Sequence, residues 1–141
     1  MAFRGLVVAK RILFVDDDPI ARALAVAALE SDSVNVTVAA DGRDALAALG
    51  ASRFDLLLLD LEMPGIDGFA VLDAVRRSPK TATMPVVVVT GRTDDRSLDQ
   101  VYRRGANGFA AKPVDWRMLR HQLRFVLRAH LLAESAPVRV A

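Results

Sequence analysis

Residues 55–68, Asp55-Leu56-Leu57-Leu58-Leu59-Asp60-Leu61-Glu62-Met63-Pro64-Gly65-Ile66-Asp67-Gly68, decide the fold of this chain. Four leucines between two aspartates are too few for a helix. An apolar run without alternation suits a strand covered on both faces, as in the middle of a parallel sheet. Pro64-Gly65 then supplies a turn, and Asp67 can cap a helix carrying Phe69, Leu72 and Val75 inward before Ser78-Pro79 stops it. The strand ends in a carboxylate, Asp60, and a helix follows.

The same rhythm extends in both directions. Upstream, Arg11-Ile12-Leu13-Phe14-Val15 is a short apolar run closed by Asp16 and Asp17, and Asp18-Pro19 pairs a favoured N-cap with a favoured first helical residue. Ile20, Leu24, Ala27 and Ala28 recur at helical spacing up to about Glu30. Val34-Asn35-Val36-Thr37-Val38 alternates as an edge strand would, and Asp41-Gly42 opens a second helix running to about Ala51. Downstream, Val86-Val87-Val88-Val89-Thr90 is a fourth buried strand, and a helix runs from about Thr93 to near Gly105. Gly108 to Ala111 is a short fifth strand, and after Lys112-Pro113 a last helix runs from about Asp115 to Leu132. Five strand and helix pairs predict a doubly wound α/β fold, because right-handed crossovers place helices on both faces of a parallel sheet.

With 141 residues and 52% hydrophobic content, the chain suits one domain: 1–10 as an N-terminal extension, 11–132 as the domain and 133–141 as a tail or linker stub. There is no cysteine, which excludes disulfides, thiolate nucleophiles and Cys-based zinc sites and leaves the cytoplasm as the expected compartment. The early apolar run Gly5-Leu6-Val7-Val8-Ala9 is too short for a secretory or membrane segment. The net charge is +2, with a sequence pI of about 9.5. Arg117, Arg120, Arg124 and Arg128 can share one flank of the last helix, which reads as a solvated face rather than a nucleic-acid surface.

In an open α/β sheet, ligands bind beyond the carboxyl ends of the strands, so Asp16, Asp17, Asp60, Thr90 and Lys112 should converge. Three carboxylates in a partly desolvated site repel one another unless a hard cation holds them, and an all-oxygen set favours Mg²⁺ over zinc. A lysine can balance the charge of a transferring phosphoryl group while a threonine hydroxyl donates to one of its oxygens. The parts suit phosphoryl transfer.

The blocks VDDDP at 15–19, LLLLDLEMPGIDG at 56–68, VVVVTGR at 86–92 and GANGFAAKP at 105–113 resemble, in order, the signature blocks of bacterial response-regulator receiver domains. The resemblance is to chemotaxis-receiver-like domains and covers about residues 11–132. It implies a flavodoxin-like, doubly wound five-stranded parallel sheet of order 2-1-3-4-5 with five helices, acting as a two-component switch rather than a turnover enzyme. It also implies Asp60 as phosphoacceptor, with Asp17, Asp60 and the backbone carbonyl of Glu62 as direct Mg²⁺ ligands. Asp16 would act largely through water, and Mn²⁺ could substitute.

By the same resemblance Lys112 is the active-site lysine, Thr90 the switch hydroxyl and Phe109 the aromatic switch, while Glu62 and Arg92 tune dephosphorylation. Because Phe109 lacks a hydroxyl, its switching must work through packing. The implied phosphodonor is a sensor histidine kinase or a histidine phosphotransfer protein. The implied readout surface is helix 4, strand 5 and helix 5.

Three other readings fit less well. A Mg²⁺-dependent phosphatase with an aspartyl nucleophile requires a DxDx[TV] motif, which Asp60-Leu61-Glu62-Met63 lacks. A degenerate receiver would not keep the acids, Thr90 and Lys112 together. A nucleotide-binding flavodoxin-like protein would carry a glycine-rich loop where Asp16 and Asp17 stand.

The last helix has Trp116, Leu119, Leu123, Val126 and Leu127 as its inward stripe, with Met118, Phe125 and Leu132 outside it. These surplus apolar residues are either scattered surface positions or the footing of a homodimer or following output domain. The run KPVDWRMLRHQLRFVLRAH also resembles the end of receivers that precede cyclic-di-GMP synthesis or degradation domains.

Overall fold

Strands and helices alternate in the order β1 (Lys10–Val15), α1 (Pro19–Leu29), β2 (Val34–Ala39), α2 (Gly42–Ala51), β3 (Leu56–Asp60), α3 (Gly68–Arg77), β4 (Val86–Thr90), α4 (Asp95–Arg103), β5 (Gly108–Ala111) and α5 (Trp116–Ser135). The computed structural model describes residues 9–65 and 67–135, with side chains through Leu132. Most of the expected extension and tail, residues 1–8 and 136–141, lies outside the described residues. All strands pair in parallel, in the order β2-β1-β3-β4-β5. This is the flavodoxin-like α/β architecture expected from the sequence.

Side-chain alternation along the central strands divides the core into two layers. Leu13, Val15, Leu57, Leu59, Val86 and Val88 face one way, onto Ala45 and Leu49 of α2, Val71, Leu72 and Val75 of α3, and Val101 of α4. Ile12, Phe14, Leu56, Leu58, Val87 and Val89 face the other way, onto Ala25 and Leu29 of α1 and Leu119 and Leu123 of α5. Every residue of β3 and β4 is buried, which is why both read as continuous apolar runs rather than alternating ones.

The helices start where the sequence places caps. Asp18, Asp41, Asp67 and Asp94 each accept a hydrogen bond from a first-turn amide, at 2.8 to 3.1 Å, satisfying donors that otherwise have no intrahelical partner. Asp94 caps α4, which begins at Asp95, two residues after the expected start near Thr93.

In α1 the buried face differs from the one read from spacing. Ile20 is 69% and Leu24 48% exposed, whereas Ala25 and Leu29 are buried. The helix PIARALAVAAL is apolar around most of its circumference, so periodicity does not select a side. In α5 the expected stripe does face the sheet, and Met118, Phe125, Leu131 and Leu132 are exposed.

Candidate functional site

Register carries the polar residues to one edge of the sheet. Val15 pairs with Leu59, Asp60 with Val89, and Thr90 with Ala111. The next residue on each strand therefore emerges beside its neighbour. The ladder continues into the loops through the amides of Asp16, Leu61 and Lys112, which donate to the carbonyls of Ala39, Val89 and Thr90 at 3.1, 3.1 and 2.9 Å. Asp16, Asp17 and Asp60 converge so that one carboxylate oxygen from each lies within 4.8 Å of the others.

Behind this cluster, α3 starts unusually close to the end of β3. A Cβ on Gly68 would stand 2.6 Å from Leu61 Cα and 2.7 Å from the Asp60 carbonyl oxygen. Only glycine leaves that room, so the final glycine of the deciding stretch sets how α3 backs the Asp60 loop.

The two oxygens of Asp60 have different surroundings. Oδ1 accepts from Lys112 Nζ at 2.8 Å and from the Glu62 amide at 2.9 Å. Oδ2 is buried and, among the described residues, has no hydrogen-bond partner. A buried unpartnered carboxylate oxygen is costly, and the convergence of the Asp60 carboxylate with those of Asp16 and Asp17 is the arrangement a hard divalent cation relieves. The all-oxygen donor set thus fits Mg²⁺, the metal typical of this acidic triad.

Asp16 is buried, and its carboxyl is pushed up to about 6. Burial is the chief cause; the Asp18 amide opposes it, and the negative charge of Asp60 adds to it. A folded-state pKa above the unfolded value of ~3.9 means the folded protein keeps a proton that the unfolded chain has lost. Stability without metal should therefore fall as pH rises from about 4 to about 6 and remain lower above that window. Thermal melts in chelator at pH 4.5 and 7.5 should show this difference, and Asp16→Asn should remove it. Excess Mg²⁺ should restore the lost stability at pH 7.5. An unchanged difference in Asp16→Asn would assign the effect to other groups.

Lys112 faces Asp60 and, at 3.2 Å, Glu62 Oε2. Burial lowers its pKa, but the two carboxylates outweigh that and hold it above the ordinary lysine value. Glu62 is drawn over the site: its Oε1 accepts from Thr90 Oγ1 at 3.1 Å and from the Gly91 amide at 2.8 Å. Burial raises the Glu62 pKa, yet the Gly91 amide, then Lys112 and Thr90, outweigh burial and keep it below the usual carboxylate range. Thr90 is 2% exposed, and its hydroxyl oxygen also accepts from the Arg92 amide at 3.0 Å.

Phe109 is half-buried at the end of the sheet, edge-on to Tyr102 with ring centroids 6.4 Å apart. Its carbonyl accepts from Gln122 Nε2 of α5 at 2.9 Å. All the sequence-predicted acids, Thr90, Lys112 and Glu62 thus come together, whereas Phe109 lies along β5 and meets α4 through Tyr102. Sequence reasoning missed the Gly91 amide, Tyr102, Gln122 and Arg22, whose Nη1 donates to the Asp16 carbonyl at 2.9 Å. None of these carries a motif signal, since backbone amides are invisible in sequence and the others read as surface residues.

The chain belongs to the response regulator receiver domain family, whose sequence model it matches over residues 12–124. Such domains are typically phosphorylation switches rather than turnover enzymes, and they partner with histidine kinases. Among its relatives is transcriptional regulatory protein AfsQ1 of Streptomyces coelicolor, 39% identical over 117 residues that cover 83% of this chain and 50% of the relative. Another is response regulator PleD of Caulobacter vibrioides, 36% identical over 131 residues, covering 93% of this chain and 29% of the relative. Chemotaxis protein CheY4 of Vibrio cholerae has a similar structure, with a TM-score of 0.80 at 31% identity over 84% of this chain and 99% of that one. The chain spans about half the length of the transcriptional regulators it matches. Among the described residues, no helix is long and apolar enough to cross a membrane.

Proposed function

We propose that Asp60 accepts a phosphoryl group from the phosphohistidine of a sensor kinase or histidine phosphotransfer protein, with residues 11–132 acting as the receiver unit in the cytoplasm. The observation that carries this reading is the asymmetry of Asp60: Oδ1 is tied to Lys112 and the Glu62 amide, while buried Oδ2 has no partner among the described residues. A carboxylate anchored in this way is held in one orientation beside the acidic cluster, which is what in-line attack needs. The Asp60 oxygen forms the new O–P bond as the P–N bond breaks, and the bonding electron pair leaves on the imidazole nitrogen. Lys112 keeps its proton and balances the added charge.

Asp17, Asp60 and the Glu62 carbonyl are the proposed Mg²⁺ ligands, with Asp16 acting through water and Mn²⁺ able to substitute. Bound there, the cation supplies neutralisation of phosphoryl charge. Thr90 and Phe109 carry the readout: the Thr90 hydroxyl turns to a phosphoryl oxygen, and the half-buried ring shifts against Tyr102 and changes the surface of α4, β5 and α5. That surface would contact a homodimer partner or an output domain. Glu62 and Arg92 border the phosphoryl site and set how long the acyl phosphate survives.

The test is incubation with Mg²⁺ and a small acyl phosphate donor. One hydroxylamine-labile phosphoryl group per chain, mapped to the peptide containing Asp60, is the expected result. Absent labelling, or a label on another residue, would overturn the reading.

A further inference from the structure

Three donors at the mouth of the site, the Thr90 hydroxyl, the Gly91 amide and the Lys112 ammonium, converge on one anion that belongs to the protein itself, the Glu62 carboxylate, at 3.1, 2.8 and 3.2 Å. An amide, a hydroxyl and an ammonium within one small volume are the groups that bind an oxyanion. They lie beside Asp60, because Lys112 Nζ spans both carboxylates, at 2.8 Å to Asp60 and 3.2 Å to Glu62. We propose that Glu62 is a built-in competitor for the phosphoryl pocket, its carboxylate holding the donors in the unphosphorylated state and having to swing out before a phosphoryl group on Asp60 can use them.

The inference rests on the phosphoacceptor reading and goes beyond it. It assigns Glu62 a role in admitting the group, distinct from any role in the group's lifetime. The Thr90 hydroxyl and the Gly91 amide each carry a single proton and cannot serve two anions at once, and a second anion brought against Lys112 would meet the negative charge of Glu62. The Glu62 side chain is 36% exposed, so release into solvent requires only rotation about its own bonds. Its backbone need not move, since its amide is held by Asp60 Oδ1. Displacement also frees the wall of an adjoining cavity of about 300 Å³, which Glu62 lines with Met63, Phe69, Arg92 and Gln100. Phosphorylation would thereby alter the surface next to α4 through a residue other than Phe109.

Binding of beryllofluoride, a phosphoryl mimic, in the presence of Mg²⁺ tests the proposal on Glu62→Ala and Glu62→Asp. The alanine removes the competitor. The aspartate keeps the charge but is one methylene too short to reach all three donors. Glu62→Ala should bind roughly tenfold more tightly than the unaltered protein, about the worth of one charge-assisted hydrogen bond, and Glu62→Asp, which keeps the charge but loses the fit, should show a smaller gain in the same direction. Wild-type affinity in Glu62→Asp with a gain only in Glu62→Ala would mean that charge alone matters, and would overturn the competitor. Equal binding by all three proteins overturns the proposal while leaving the phosphoacceptor reading standing. Binding by none of them overturns both.

Discussion

Replacing Asp60 by asparagine is expected to reduce phosphoryl incorporation from a small acyl phosphate donor by at least about a thousandfold, the scale on which removal of a nucleophile acts. Asparagine keeps the shape of the side chain, and its carbonyl oxygen can still accept from Lys112 and the Glu62 amide, which hold Asp60 at 2.8 and 2.9 Å. The fold should therefore survive, and the loss can be read as chemistry. An amide oxygen is a far weaker nucleophile than a carboxylate, and the substitution also removes one of the three carboxylates that converge with Asp16 and Asp17. Weaker Mg²⁺ binding should accompany the loss, measurable by titration calorimetry. Asp16 should at the same time ionise more readily, because the charge of Asp60 is one of the causes raising its pKa. Stoichiometric labelling of the Asp60→Asn protein would remove Asp60 from the mechanism.

Arg76→Ala is expected to give a large loss of stability without touching the site, about 3 kcal/mol, because hydrogen bonds to a charged group are strong and their removal leaves several partly buried acceptors unpaired at once. Arg76 is the penultimate residue of α3, and its guanidinium ties two loops at the far end of the sheet from Asp60. Nε and Nη2 donate to the Gly105 carbonyl at 3.0 and 2.7 Å, and Nη2 donates to Asn107 Oδ1 at 2.9 Å. Nη1 reaches the carbonyls of Met84 at 2.7 Å, Ala82 at 3.2 Å and Thr81 at 3.4 Å. Burial pulls the pKa of Arg76 down, yet the planar fork of donors serves both loops at once in a way a lysine cannot. Asn107 in turn accepts from the Val86 amide at 2.8 Å, so the clamp also sets the start of β4. Urea denaturation should place Arg76→Lys closer to the alanine variant than to the unaltered protein. A loss in Arg76→Ala below about 1 kcal/mol would show that water replaces these contacts adequately.

The strands and the order of elements were legible because buried parallel strands must be apolar on both faces. Leu56–Leu59 and Val86–Val89 leave no other reading once they are bounded by turns. The caps were legible because Asp18, Asp41 and Asp67 stand immediately before helical patterns, and backbone amides without partners draw such side chains. The buried side of α1 was not legible: alanines lie all round it, and the choice of face depends on what the sheet leaves room for, burying Ala25 and Leu29 and exposing Ile20 and Leu24.

The candidate site divides the same way. That Asp16, Asp17, Asp60, Thr90 and Lys112 meet follows from their places at strand ends, since in a parallel sheet all carboxyl ends point to one edge. Sequence alone therefore determined which residues share the site, and with them the family. Only the tertiary structure decided how each is used. It leaves Asp60 Oδ2 without a partner among the described residues, closes the Glu62 carboxylate on Thr90, Gly91 and Lys112, and makes Arg76 a clamp between loops. The physical reason is that strand register is written in local hydrophobic pattern, whereas hydrogen bonds to backbone amides and carbonyls depend on distances between segments far apart in the chain.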